Sequence, residues 1–206
     1  ANSSPGNDQI SFNLTGTNPY TITLATALPN IVDESTAGTL TINGLGASSL
    51  TIDASGGNFS IFSIDTGGNL SVSGVTVSGS NINGNGGAFN NSGTLSISNS
   101  TISGNSATNG GNGGAFFNSG TLAVTNSTIS GNTANYGGGI FNSGGTSTIT
   151  NSTFSGNSTA GGSGAGIFNQ ATLTVSNSTF SGNSITGSGS GGGISNIFGT
   201  FTITNS

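Results

Sequence analysis

The sequence predicts an all-β fold, a parallel β-solenoid with three short strands and three corners per coil and about 24–30 residues in each. Two observations predict it. The phrase NSTISGN at Asn99–Asn105 returns at Asn126–Asn132, and returns as NSTFSGN at Asn151–Asn157 and Asn177–Asn183, while Asn99, Asn126, Asn151, Asn177 and Asn205 follow one another at 27, 25, 26 and 28 residues. Between the repeats, apolar residues alternate with hydroxyl residues at period two and glycine interrupts every unit. Period two is the signature of strands, and each glycine inside a helix costs about 1 kcal/mol.

Each unit has the same elements in the same order. The first strand is GTLSIS at Gly93, GTLAVT at Gly120, GTSTIT at Gly145, ATLTVS at Ala171 and GTFTIT at Gly199. The repeated phrase follows, centred on Ile102, Ile129, Phe154 or Phe180. A glycine-rich corner of variable length then leads to GGAFNN at Gly86, GGAFFN at Gly113, GGGIFN at Gly137, GAGIFN at Gly164 and GGGISN at Gly191. Alternation puts Leu95 and Ile97 on one face and Thr94, Ser96 and Ser98 on the other. Stacking therefore builds interior columns: Ile97, Val124, Ile149, Val175 and Ile203; Ile102, Ile129, Phe154 and Phe180; Phe89, Phe116, Ile140, Ile167 and Ile194.

Upstream the same grammar drifts. GTLTING at Gly38, SLTIDA at Ser49, NFSIFSI at Asn58 and NLSVSGVTVSG at Asn69 supply strands, and DQISFNL and YTITL read as the first coils. The chain reads as one domain over 1–206, irregular over 1–66 and regular over 67–206. Roughly eight coils at about 4.8 Å give a rod on the order of 40 Å long.

A single coil buries four or five large apolar side chains, at roughly 1.5–3 kcal/mol each. Ordering its backbone costs about 1–2 kcal/mol per residue. A lone coil cannot fold, and stability has to come from neighbours. Asparagine suits this arrangement, because it tolerates left-handed turns and its amide can bond the same amide one coil away. Asn105, Asn132, Asn157 and Asn183 are expected to form one ladder at a corner, and Asn91, Asn118, Asn142, Asn169 and Asn196 a second. The NST triplets also satisfy the N-glycosylation pattern, but repetition at a turn accounts for them without glycans.

Composition excludes several functions. Lys, Arg, His and Cys are absent, and the five acids Asp8, Asp33, Glu34, Asp53 and Asp65 give a net charge of −5. Without Lys or Arg nothing neutralises phosphate, so nucleic-acid binding and polybasic lipid contacts are not expected. No apolar run of about 18 residues spans a bilayer, so no membrane insertion is expected. Disulfides and thiol chemistry need cysteine.

GGGIFNSGGTSTITNSTFSGN at Gly137–Asn157, with its pairing of GG-A/G-I/F and F-x-x-N, resembles the repeats of chlamydial-type polymorphic outer-membrane proteins and, more broadly, the secreted parallel β-helix proteins of bacteria. The resemblance covers about 67–206. It implies a right-handed parallel β-helix, exported to the cell surface or medium, in an adhesive or scaffolding role. No outer-membrane barrel, anchor or recognisable cap appears, which departs from a complete autotransporter.

Some parallel β-helices cleave polysaccharides, which takes two placed carboxyl groups, commonly with cationic help. Asp53 and Asp65 are the only pair that could face each other on adjacent strands, without Lys, Arg or His beside them. Serine and threonine have no base to activate them, and His- or Cys-based metal sites lack their ligands. No catalytic residue, cofactor or metal is expected.

Three surface features remain. Thr101, Thr128, Thr153 and Thr179 should form an outward hydroxyl row beside Ser103, Ser130, Ser155 and Ser181, an arrangement of the kind ice-binding proteins display. Phe117, Phe141 and Phe168 should point outward, either as a lateral contact strip or half covered by a corner loop. The outermost coils expose Ile10, Phe12 and Leu14 at one side and Phe201, Ile203 and Asn205 at the other. Open strand edges template further strands. The expectation is therefore a structural extracellular protein stacking head to tail with copies of itself. The alternatives are an excerpt of a longer adhesin or autotransporter stalk, and an ice-binding protein.

Overall fold

The structure, a computed structural model, describes residues 6–32 and 37–206. Asp33 and Glu34 lie outside the described residues. Every strand pairs in parallel with its counterpart one coil away, and the coils build four sheets along the axis. The result is a right-handed parallel β-helix of about seven turns, near the roughly eight expected.

Within the regular repeats, a single turn runs Thr94–Ser98, Thr101–Ser103, Ser106–Ala107 and Phe116–Asn118, with a strand in each of the four sheets. Among the described residues the sheets hold eight, seven, five and six strands respectively. They are called sheets I to IV in that order. A coil thus has four strands where the sequence predicted three. The additional strand, such as Ser106–Ala107, is two residues long and sits inside the glycine-rich corner, where nothing alternates. Among the described residues the irregular first coils lack it, and sheet III begins at Asn81–Ile82.

Register is in phase from coil to coil. Ile10, Ile42, Val72, Ile97, Val124, Ile149, Val175 and Ile203 form one unbroken column through sheet I. Ile52, Val77, Ile102, Ile129, Phe154 and Phe180 do the same in sheet II. In sheet IV, Phe62, Phe89 and Phe116 stack ring on ring, with centroids 5.1 and 5.0 Å apart, before the column passes to Ile140, Ile167 and Ile194. These columns meet in one buried apolar core. Parallel sheets need both faces covered or satisfied. Here the inner face is apolar apart from laddered Asn and Ser, and the outer faces of sheets I and II carry mainly Thr and Ser.

Corners are set by residues that accept positive φ. Asn99, Asn126, Asn151, Asn177 and Asn205 each have φ between 48° and 50°, and the first four turn the chain from sheet I to sheet II. The turn into sheet IV uses Gly86, Gly113, Gly137, Gly164 and Gly191, all with positive φ. A Cβ on Gly137 would lie 2.2 Å from the carbonyl oxygen of Ile140. Gly137→Ala therefore combines the cost of a left-handed L-residue, about 1–2 kcal/mol, with a forced backbone shift. A loss of at least about 2 kcal/mol is expected in chemical denaturation. Gly144→Ala, in open space at a neighbouring corner, serves as the tolerant control.

Candidate functional site

The repeated phrase resolves into an inside and an outside. In NSTISGN, Ser100, Ile102 and Asn105 are buried, while Asn99, Thr101, Ser103 and Gly104 face out or lie half-exposed. Period two puts Ser100 beside Ile102, and the positive φ of Gly104 rotates Asn105 inward. Left-handed geometry and amide laddering, which the sequence reading assigned to the same asparagines, are divided between two sets. Asn99 and its equivalents make the turn, and Asn105 and its equivalents make the ladder.

Both predicted amide ladders are present. Asn105 donates through Nδ2 to Asn132 Oδ1 at 3.1 Å, Asn132 to Asn157 at 3.0 Å, and Asn157 to Asn183 at 2.9 Å. Each Oδ1 also accepts the backbone N–H of the preceding ladder residue. The second ladder runs Asn91, Asn118, Asn142, Asn169, Asn196 at 2.6–2.8 Å. Buried amides are costly unless bonded, and here each is bonded both to its neighbours and to backbone carbonyls.

A third ladder was missed in sequence. Ser127 Oγ accepts the N–H of Ser100 at 3.2 Å, Ser152 that of Ser127, and Ser178 that of Ser152, each hydroxyl donating to the carbonyl two residues before it. The signal was the fixed Ser in each NST triplet, at the same parity as the core residue. Ser147, which interrupts the column of Leu70, Leu95, Leu122 and Leu173, is explained in the same way: its buried hydroxyl bonds Asn142 Oδ1 and accepts from Asn118.

On the outside of sheet IV, Phe117, Phe141 and Phe168 stack in a row with centroids 5.4 and 5.2 Å apart. They are not an open strip. Tyr136, from the corner before sheet IV, tilts against Phe168, leaving Phe141 and Phe168 buried and Phe117 half-buried. A groove of about 400 Å³ remains among Asn112, Tyr136, Phe141, Phe168, Gln170 and Ile197. Asn112 Oδ1 is buried there without a hydrogen-bond partner. Next to Ile197 stands Phe198, at positive φ and 98% exposed, a residue the sequence reading did not single out.

Among the described residues the acids do not converge. Asp53, at the end of a sheet II strand, accepts from the hydroxyls of Ser55 and Ser78, and Asp65, beyond a sheet IV strand, accepts from the Asn30 amide. Among the described residues no group of three or more His, Cys, Asp or Glu could hold a metal ion.

The outermost strands differ from the rest. Gly6–Ser11 and Thr200–Thr204 are the two edges of the same eight-stranded sheet. Ile10 is 40% and Ile203 49% exposed, whereas the column between them is buried. At the first edge an apolar cavity of about 160 Å³ is lined by Ile10, Phe12, Ile22, Leu24, Leu28 and Phe62, among others. At the other, Phe180, Ile194, Phe201 and Ile203 line an open pocket. Leu14 is exposed, and Asn205 reaches the Asn177 amide at 3.3 Å.

Laddered interiors with glycine and asparagine corners define a β-solenoid protein. The chain matches the family model described as right handed beta helix region over residues 39–206, and it belongs to that family. Comparison with curated proteins finds no match, and comparison with solved structures finds none.

Proposed function

We propose that this chain is an extracellular structural rod, a secreted bacterial β-helix whose subunits stack head to tail into a filament or surface scaffold. The observation that carries the reading is that Gly6–Ser11 and Thr200–Thr204 are opposite edges of one sheet, each with unpaired strand hydrogen bonds and exposed apolar residues. An edge of that kind templates a further strand. Joining Thr200–Thr204 of one copy to Gly6–Ser11 of the next continues the Ile column through Ile203 and Ile10, with Phe201, Phe12 and Leu14 beside it. The contact is heterologous and does not close, so it propagates. Half-buried Phe117 and exposed Ile197 and Phe198 then supply the side-by-side contact, with Phe141 and Phe168 packed beneath Tyr136. The same rod serves equally as a segment of an adhesin or autotransporter stalk, where the neighbouring strands belong to one longer chain.

Electron microscopy of the native material tests it. Uniform thin fibres composed of this chain support stacking; discrete rods attached to a larger polypeptide overturn it in favour of the stalk. A variant sharpens the test. Asp8 stands in the Leu40, Leu70 and Leu95 column, so stacking in register sets Phe201 against a carboxylate. Asp8→Leu is expected to lower the concentration at which fibres form, read by sedimentation; an unchanged or higher threshold counts against this register.

A further inference from the structure

The hydroxyl row expected from the sequence lies on sheet II and is longer than expected, running from Thr21 through Thr51 and Thr76 to Thr179. It is narrow, each strand presenting one Thr and one companion, and Asp53 interrupts the companion column. Sheet I carries a more complete surface. Across its five strands from Thr94–Ser98 to Thr200–Thr204, three outward columns run in register. Thr fills every place of the first, from Thr94 to Thr200. It fills three of five in the second (Thr148, Thr174, Thr202) and three of five in the third (Thr125, Thr150, Thr204). The remaining places hold Ser96, Ser98, Ser176 and Ala123.

From this face we infer an ice-binding surface on sheet I. Threonine is common on exposed strands for its propensity alone. Propensity does not explain the absence of everything else. Solvated faces ordinarily carry charges on about a quarter to a third of their positions; this one carries none, and no side chain larger than Thr. Each Thr has a stiff χ1 and offers one methyl and one hydroxyl at a fixed place. Strand spacing sets the grid at about 4.8 Å across and about 6.6–6.8 Å along. Among the described residues, the one side-chain bond within the grid joins Ser176 and Thr150 at 3.3 Å, so the other hydroxyls address solvent. A stiff, uncharged lattice of donors and acceptors in register, with methyl groups between them, loses little ordering entropy on binding. Its occupant must itself repeat in two dimensions on that scale. Ordered water at an ice surface does. Crystalline polysaccharide repeats as well, but its recognition draws on aromatic faces and amides, which this grid lacks.

The experiment uses the full chain at concentrations where it is monomeric, so it is independent of stacking. The unmodified protein is expected to show thermal hysteresis, to shape ice crystals and to be taken up into a growing ice hemisphere. Thr148→Tyr, at the centre of the grid, is expected to reduce uptake by about tenfold or more, as one oversized group at the middle of a contact does. Thr148→Ser, which keeps the hydroxyl and loses only the methyl, is expected to reduce it less, and Thr128→Tyr on sheet II to leave it unchanged. Circular dichroism confirms that each variant is folded. Absence of hysteresis and uptake in the unmodified protein overturns the inference. So does loss with Thr128→Tyr but not Thr148→Tyr. Thr148-dependent binding to microcrystalline cellulose or chitin without ice uptake replaces ice with polysaccharide and equally overturns it.

Discussion

Phe116→Ala is expected to lower stability by about 3–5 kcal/mol, the range for removing a fully buried aromatic ring. Phe116 is 0% exposed, stacks on Phe89 at 5.0 Å and sits in register with Ile140. It therefore seals the contact of two neighbouring coils at once. The surrounding backbone is held by parallel ladders on both sides, so the cavity has little room to collapse. In a chain of this length the loss corresponds to a fall in melting temperature of about 6–20 °C. Because each coil is stabilised through its neighbours, a defect at the centre is expected to divide the rod as well as weaken it. Calorimetry should show one transition in the unmodified protein and a broadened or split one in the variant. Phe117→Ala, at the half-buried member of the outer row one residue away, should cost markedly less. Equal effects at the two positions would contradict the assignment of inside and outside.

Asn132→Ala is expected to cost about 3–5 kcal/mol, although asparagine is polar and the alanine would be apolar. The Asn132 side chain accepts from the Asn105 backbone N–H at 3.0 Å and donates to the Ile102 carbonyl at 3.0 Å and to Asn157 Oδ1 at 3.0 Å. Removing it strands buried groups that water does not reach, at about 1–3 kcal/mol each. Asn132→Asp should be worse at neutral pH. A carboxylate accepts but cannot donate, and no Lys, Arg or His exists in the chain to pair with it. Burial without a counter-charge raises the carboxyl's pKa in the folded state above its unfolded value of about 3.9. The folded state then binds the proton more tightly than the unfolded state. The variant's stability is fully present below the unfolded value and is lost as pH rises through the folded one. Denaturation of Asn132→Asp across pH 3–8 should therefore run against pH in a way that Asn132→Ala does not. Parallel pH profiles for the two would remove the donor role assigned to the ladder.

Much of the architecture was legible because interior columns and exterior rows write period two directly into the sequence. Ile97, Val124, Ile149, Val175 and Ile203 could be aligned by eye, and the structure pairs them residue for residue. The two amide ladders were legible for the same reason. What escaped notice lacked period or disguised it. Ser106–Ala107 is too short to alternate. Ser100 lies in an NST triplet ascribed to a turn, and its burial follows from its parity with the core residue Ile102. The Leu column breaks at Ser147, whose hydroxyl serves a ladder that the strand alone does not reveal. The outward aim of Phe117, Phe141 and Phe168 follows from alternation, but their covering by Tyr136 depends on a corner whose length and path vary between coils. The breadth of the threonine grid on sheet I was present in GTSTIT, ATLTVS and GTFTIT, but it becomes a surface only once the strands lie side by side.

The central claim, that like residues lie directly over like at one coil per step, is most directly tested by spin-label distances along the Thr column of sheet II. The chain has no native cysteine, so pairs can be introduced at will. Thr51, Thr76, Thr101, Thr128, Thr153 and Thr179 are in register on successive coils. Pairs of labels spanning four coils (Thr51 with Thr153) and five coils (Thr51 with Thr179) should give narrow distributions at about 19 and 24 Å, differing by one strand spacing of about 4.8 Å. Distances that fail to rise by that step, or that spread broadly, would contradict the stacked solenoid and the proposals built on it.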